Sequence, residues 1–147
     1  MKFVCDVMLG KLAKYLRLLG LDAVYLKNSA QLKDISGSKE SWVFVTRRTN
    51  ATGAPASIVV RSELARRQVT ELKPILRPLI DPSQVLNRCI ECNVPLEDVE
   101  RGEVEHRVPE FVFHHYKRFR KCASCNRIYW EGSHARHMTG LLKELLD

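Results

Sequence analysis

Two Cys-x-x-Cys pairs, Cys89–Cys92 and Cys122–Cys125, contain four of the five cysteines in the chain, and each pair is followed directly by an asparagine, Asn93 or Asn126. A thiolate pair on a tight turn can place both sulfurs about 2.3 Å from one ion, and a second such turn completes a closed tetrahedron. The spacing therefore predicts a zinc ribbon ligated by Cys89, Cys92, Cys122 and Cys125. Four thiolates fill the coordination sphere, so the zinc is expected to be structural; a catalytic zinc keeps one position open. Disulfides or a thioredoxin-like redox pair are the alternatives, but two matched pairs are more specific than one. The same count argues against His134 and His137 as further ligands.

No apolar run approaches the roughly 18 residues of a membrane span. The opening residues are interrupted by Lys2, Asp6, Lys11 and Lys14, unlike a secretory signal. The expectation is a cytoplasmic protein with no membrane partner. The 147 residues suit one compact domain and a small metal module that its ion helps to fold. Asp81-Pro82-Ser83 is the natural boundary, giving an α/β domain over 1–83 and a zinc-ribbon module with a C-terminal helix over 84–147.

Charge divides at nearly the same place. Met1 to Asn87 holds 14 Lys and Arg against 7 acids, whereas Arg88 to Asp147 holds 10 against 10. A basic domain beside a neutral metal module points to a polyanionic partner, most often nucleic acid, although solubility alone also accounts for a modest positive charge.

Lys2-Phe3-Val4-Cys5 reads as a short buried strand ending at Asp6, after which the period becomes helical. Met8, Leu9, Leu12, Ala13, Leu16 and Leu19 fall on one face, Gly20 ends the helix, and Lys11, Lys14 and Arg17 form a cationic stripe on the opposite face. Such a stripe is either a solvated face or a phosphate contact. Cys5 reads as a buried apolar residue. Asp22–Leu26 is a second strand, Ser29–Ser38 a weak helix, Ser41–Thr46 a third strand, Arg47–Ser57 a polar loop and Ile58–Val60 a short strand. Ser62 is a candidate cap for a helix with Leu64, Val69, Leu72, Ile75, Leu76 and Leu79 inward, broken or kinked at Pro74. Strands alternating with helices predict a parallel sheet, whose ligands gather at the carboxyl ends of the strands. Asp6, Thr46, Arg47, Arg48 and Ser62 would meet there. No glycine-rich phosphate loop follows any strand, which argues against a nucleotide-cofactor enzyme.

Between the cysteine pairs, Val94–Leu96 and Val108–Phe113 read as short strands around an acidic turn from Glu97 to Glu105. The segment from Phe119 to His134 mixes cations and aromatics, a composition that can stack bases and neutralise phosphates. Tyr129 and Trp130 equally suit packing of the module against the main domain.

The run Asp6-Val7-Met8-Leu9-Gly10-Lys11-Leu12-Ala13-Lys14-Tyr15-Leu16-Arg17-Leu18-Leu19-Gly20, the strand entering Thr46-Arg47, the knuckle Arg88-Cys89-Ile90-Glu91-Cys92-Asn93 and the Cys125 to His134 segment together resemble the Mut-seven C-terminal RNase family. The resemblance covers nearly the whole chain in order. It implies a PIN-like α/β nuclease domain, a parallel sheet flanked by helices, followed by a C-terminal zinc ribbon, with RNA as the substrate class. Members of this family gather acids at the strand ends to hold magnesium or manganese, which position water and stabilise charge on the phosphate.

Asp6 matches the first of these acids. Where the family continues its third strand into Thr-Arg-Asp, this chain has Thr46-Arg47-Arg48, and Gln31 stands where an acid early in the preceding helix is expected. The expectation is an RNA-binding protein, contacting RNA through Lys11, Lys14, Arg17, Arg47 and Arg48, with weak or absent cleavage. The rivals are an active Mg2+- or Mn2+-dependent ribonuclease completed by Asp34, Glu40 or Glu63, and an interaction subunit of a ribonucleoprotein or toxin-antitoxin-like assembly.

Overall fold

The computed structural model describes residues 1–28, 30–31, 41–49, 57–131 and 133–147, without the side chains of 133–137. The first sheet consists of β1 (Lys2–Cys5), β2 (Asp22–Tyr25), β3 (Trp42–Thr46) and β4 (Ser57–Val59), all parallel, in the order β2-β1-β3-β4. Central β1 and β3 have almost no polar outward face. Phe3, Val4, Cys5 and every residue of β3 are buried, as expected of parallel strands covered on both sides. The mixed α/β reading with a parallel sheet is correct.

The helix α1 (Gly10–Leu18) lies against this sheet through Leu12, Ala13 and Leu16, flanked by buried Leu9 and Leu19. Met8 departs from the expected face: it sits in the turn before α1 and is exposed. Gly20 ends the helix with φ +86°, and a Cβ there would lie 2.4 Å from the Gln84 carbonyl oxygen. Glycine is thus required by both the backbone angle and the returning chain. The Leu86 amide donates to the Leu18 carbonyl at 2.8 Å, binding that chain to the end of α1.

Past β4 come α2 (Ala65–Glu71) and the one-turn α3 (Lys73–Leu76), with Pro74 in the first turn of α3. Pro74 therefore starts a second helix, where its missing N–H leaves no intrahelical bond unmade. Leu64 precedes α2 and is exposed, so it is not a core position. Ser62 does not cap the helix; its hydroxyl accepts from the Leu64 amide at 3.2 Å. The helix expected over Ser29–Ser38 and the loop after Thr49 lie largely outside the described residues.

A second, antiparallel sheet, β5-β6-β7, is formed by β5 (Glu97–Val99), β6 (Phe119–Lys121) and β7 (Ile128–Tyr129). Two short helices, α4 (Arg101–Val104) and α5 (Glu110–His115), connect β5 to β6. Much of the segment read as a strand over Val108–Phe113 is thus helical. Pro109 supplies the extended entry and Glu110 an acid in the first turn, both favourable at a helix N-terminus. The strand expected over Val94–Leu96 is displaced to Glu97–Val99.

The final helix, α6 (Ser133–Leu146), places Met138, Leu141 and Leu145 in the same core as Phe3, Leu12, Leu16, Val45 and Leu72. It follows the ribbon in sequence but packs with the parallel sheet. The amphipathic face of α6 is thus buried in the core of the parallel sheet, while the ribbon keeps clusters of its own around Cys89 and Phe119.

Candidate functional site

Asp6 emerges from the end of β1, with its amide still continuing the ladder to the Val45 carbonyl at 2.9 Å. Its side chain is buried and points to the ends of β1 and β3. Oδ1 accepts the Val7 amide at 2.8 Å, and Oδ2 accepts the Thr46 hydroxyl at 2.6 Å. Thr46 Oγ1 in turn accepts the Arg48 amide at 3.0 Å, so the turn after β3 is tied to the carboxylate. Arg48 Nε lies 3.5 Å from the same Oδ2. The strand ends thus bring Asp6, Thr46 and Arg48 together as the sequence predicts, and the cation stands directly against the Asp6 carboxylate.

The rim of this cleft is ordered by further polar contacts. Tyr25 donates its hydroxyl to the Val7 carbonyl at 2.6 Å, bridging the ends of β2 and β1. Arg47 donates to the Arg61 carbonyl at 3.2 Å, joining the exits of β3 and β4. Glu71 was not anticipated from sequence. Its two carboxylate oxygens accept the Arg61 and Ser62 amides at 2.9 and 3.0 Å, fixing the loop after β4. An acid one helix later carried no sequence signal for that job. Ser62 itself is held through its backbone, its carbonyl accepting from buried Gln68 Nε2 at 2.8 Å.

Gln31 turns onto its own chain. Its side-chain oxygen accepts the Lys27 amide at 2.7 Å and the Asn28 amide at 3.4 Å, and its backbone N–H donates to Asn28 Oδ1 at 3.2 Å. Glu63 is exposed before α2, while Asp34 and Glu40 lie outside the described residues. Cys5 is buried and burial pushes its thiol up to about 12, which suits a core position and not a nucleophile.

The cationic stripe on α1 is divided by what it meets. Lys11 is exposed. Lys14 Nζ lies 3.7 Å from Glu91 Oε1. Arg17 is half-buried and donates from Nε to the Ala23 carbonyl at 2.8 Å and from a terminal nitrogen to the Ile90 carbonyl at 2.7 Å. Asn93 meets the same edge of the sheet: its side-chain oxygen accepts the Ala23 amide at 3.1 Å and its nitrogen donates to Asp22 Oδ1 at 2.7 Å. β2 is an edge strand, and the outward backbone groups of Ala23 are satisfied by Arg17 and the first cysteine knuckle.

The four predicted cysteines do come together. The sulfurs of Cys89, Cys92, Cys122 and Cys125 all lie within 4.8 Å of one another, and Cys89 and Cys125 are 3.8 Å apart. The edge of a tetrahedron with metal–sulfur bonds of about 2.3 Å is about 3.8 Å, so the donor set fits a four-coordinate ion. Both knuckles are built alike. Cys92 and Cys125 amides approach the sulfur of the first cysteine in their pair at 3.4 Å, and Asn93 and Asn126 amides donate back to the carbonyls of Cys89 and Cys122 at 2.9 and 2.8 Å. Asn93 and Asn126 have φ of 60° and 67°, a left-handed conformation that asparagine tolerates better than most residues, which explains why each pair is followed by one. Tyr129 approaches Cys89 Sγ with its hydroxyl at 3.0 Å. Burial alone would raise the Cys89 thiol, but this hydroxyl and the amides of Cys92 and Glu91 outweigh it and bring the thiol down to about 7.

Arg107, Arg127 and Trp130 from the mixed cation–aromatic segment and its neighbours line a separate cleft on the ribbon. No helix among the described residues is long and apolar enough to cross a membrane.

No curated protein and no solved structure matches this chain. A family model described as the Mut7-C RNAse domain matches residues 1–142, taking in the strand-end cleft, both cysteine knuckles and most of α6. With nearly its whole length inside that match, the chain belongs to the Mut7-C RNAse domain family.

Proposed function

We propose that this chain binds RNA at the basic strand-end cleft and cleaves it weakly or not at all, with zinc in the four-cysteine centre serving structure. The observation that carries the reading is the Asp6–Arg48 pair. A nuclease site of this kind needs several oxygen ligands around a hard divalent cation. Here one oxygen of Asp6 accepts the Thr46 hydroxyl and faces a guanidinium, and the other accepts a backbone amide. A magnesium or manganese ion at that carboxylate would meet the positive charge of Arg48. A phosphate would be attracted by the same charge. Exposed Arg47 and Lys11 extend the basic surface, whereas Arg17 acts in holding the ribbon.

Zinc is proposed for the cysteine centre because four thiolates in a closed tetrahedron select a soft-tolerant ion without an open position. The family match supports RNA as the ligand class.

The test is a cleavage and binding assay on mixed single-stranded and structured RNA, with magnesium and with manganese. Salt-sensitive binding with cleavage no faster than that of an Asp6→Asn variant is expected. Efficient cutting that Asp6→Asn abolishes would mean that acids elsewhere complete an active site. Absence of RNA binding at low salt would leave an interaction subunit as the better reading.

A further inference from the structure

The ribbon carries a cleft of about 490 Å³ beside the first cysteine knuckle, a size within the range of small-ligand sites. We propose that it binds an unpaired nucleotide of the RNA, with the base against Trp130 and the two isoleucines and the phosphate on Arg127. This rests on the RNA-binding reading above and adds a second, separate subsite on the metal module.

Ile90 and Ile128 give the cleft apolar surface, and half-buried Trp130 lines it while packing on the Val104–Val112–Phe119 cluster. That backing holds the indole in place, as a stacking platform requires. Tyr129 is already engaged, since its hydroxyl lies against Cys89 Sγ. Arg107 is fixed over the second knuckle by donating to the Asn126 carbonyl at 2.6 Å. Arg127 is exposed and lies 3.8 Å from Glu91 Oε1, the same oxygen that Lys14 approaches at 3.7 Å.

Glu91 therefore joins the cationic stripe of α1 to the ribbon cleft. A phosphate competing for Arg127 and Lys14 would displace a surface carboxylate, whose own pairs are weak in water. The combination of an aromatic face with cations at its edge matches a single-stranded nucleotide. In a duplex the base faces are stacked and out of reach. An acidic peptide would satisfy the cations but leaves the Trp130 and isoleucine surface without a flat partner.

The chain has two tryptophans, and the other, Trp42, is buried in the parallel sheet. Quenching that is present in the wild type and absent in Trp130→Phe therefore reports Trp130. Single-stranded RNA octamers are titrated against the full chain, following tryptophan emission and the polarisation of labelled RNA together. The expected result is quenching by single-stranded RNA, near-wild-type affinity without quenching for Trp130→Phe, and a loss of about tenfold or more for Arg127→Glu. Lys117→Glu, an exposed charge reversal outside the cleft, serves as control and should fall well short of that loss.

RNA that binds with unchanged Trp130 emission, or that binds Arg127→Glu as it binds wild type, would overturn the subsite and leave RNA binding elsewhere intact. Equal quenching by blunt duplex RNA would overturn the unpaired base. Quenching by an oligoglutamate peptide but not by RNA would assign the cleft to a protein. No RNA binding by polarisation would remove both the subsite and the function on which it rests.

Discussion

Arg48 Nε stands 3.5 Å from Asp6 Oδ2, at the junction of β1 and β3. The pair joins a buried carboxylate to a half-exposed guanidinium, and Thr46 ties both to the strand ends by accepting the Arg48 amide and donating to Asp6. A cation supplied by the chain thus faces the carboxylate from which the family's metal chemistry would start. It cannot be lost, exchanged or diluted as a bound metal can.

RNA affinity should depend on salt through the exposed cations Lys11 and Arg47 and much less through Arg17. Lys11→Ala and Arg47→Ala should each reduce the slope of log affinity against log salt by roughly 0.7 to 0.9 if each contacts one phosphate. Filter binding from low to moderate salt measures this. Slopes equal to that of wild type in a folded double variant would show that these residues are only a solvated face.

Arg17→Ala should act on stability. Arg17 donates to Ala23 on the sheet and to Ile90 on the knuckle, and hydrogen bonds from a charged donor contribute about 1.5–3 kcal/mol. Denaturant unfolding should show a loss of about that size, with faster proteolysis after Asn87. Arg17→Lys should recover little, because one ammonium cannot reproduce the fork that spans both carbonyls. A stability equal to wild type would contradict the role assigned to Arg17.

The limits of reading this chain from its sequence follow the range of each interaction. Cysteine spacing and the apolar runs of β1 and β3 are local signals, and they located the four-cysteine cluster and the central strands. The apolar period of α1 located its buried face except at Met8, which precedes the helix. Arg17 looked equivalent to Lys11 and Lys14, because nothing in a cationic stripe reveals that one member reaches a knuckle more than seventy residues away. Glu71 was silent for the same reason, and α6 gave no sign that its apolar face returns to the first core. At Val108–Phe113 a short apolar run was read as a strand, although Pro109-Glu110 is also a good helix start.

Gly20→Ala should destabilise the fold by about 1–3 kcal/mol from the left-handed backbone alone. The added methyl would also lie 2.4 Å from the Gln84 carbonyl, so the linker to the ribbon must move. Thermal unfolding compared with that of Gly140→Ala, where nothing lies within 4 Å of the new Cβ, isolates the effect. Equal melting temperatures would contradict it.

One zinc per chain should be found by elemental analysis, and Cys92→Ser with Cys122→Ser should abolish it. The ligands bind as thiolates, so protons compete with the metal, and release should increase as pH falls and not as it rises. Metal loss should loosen the knuckle that covers Ala23, seen as faster exchange of the β2 amides. Undiminished zinc in the double variant would contradict the ligand set.

The most direct measurement is manganese binding to the strand-end cleft, followed by electron paramagnetic resonance on zinc-loaded protein with RNA absent. Wild type should bind manganese no better than Asp6→Asn, while Arg48→Asp, which replaces the cation by a carboxylate, should gain a site that Asp6→Asn then removes. A wild-type manganese site that disappears with Asp6→Asn and does not strengthen with Arg48→Asp would contradict the claim that Arg48 holds the place of the metal.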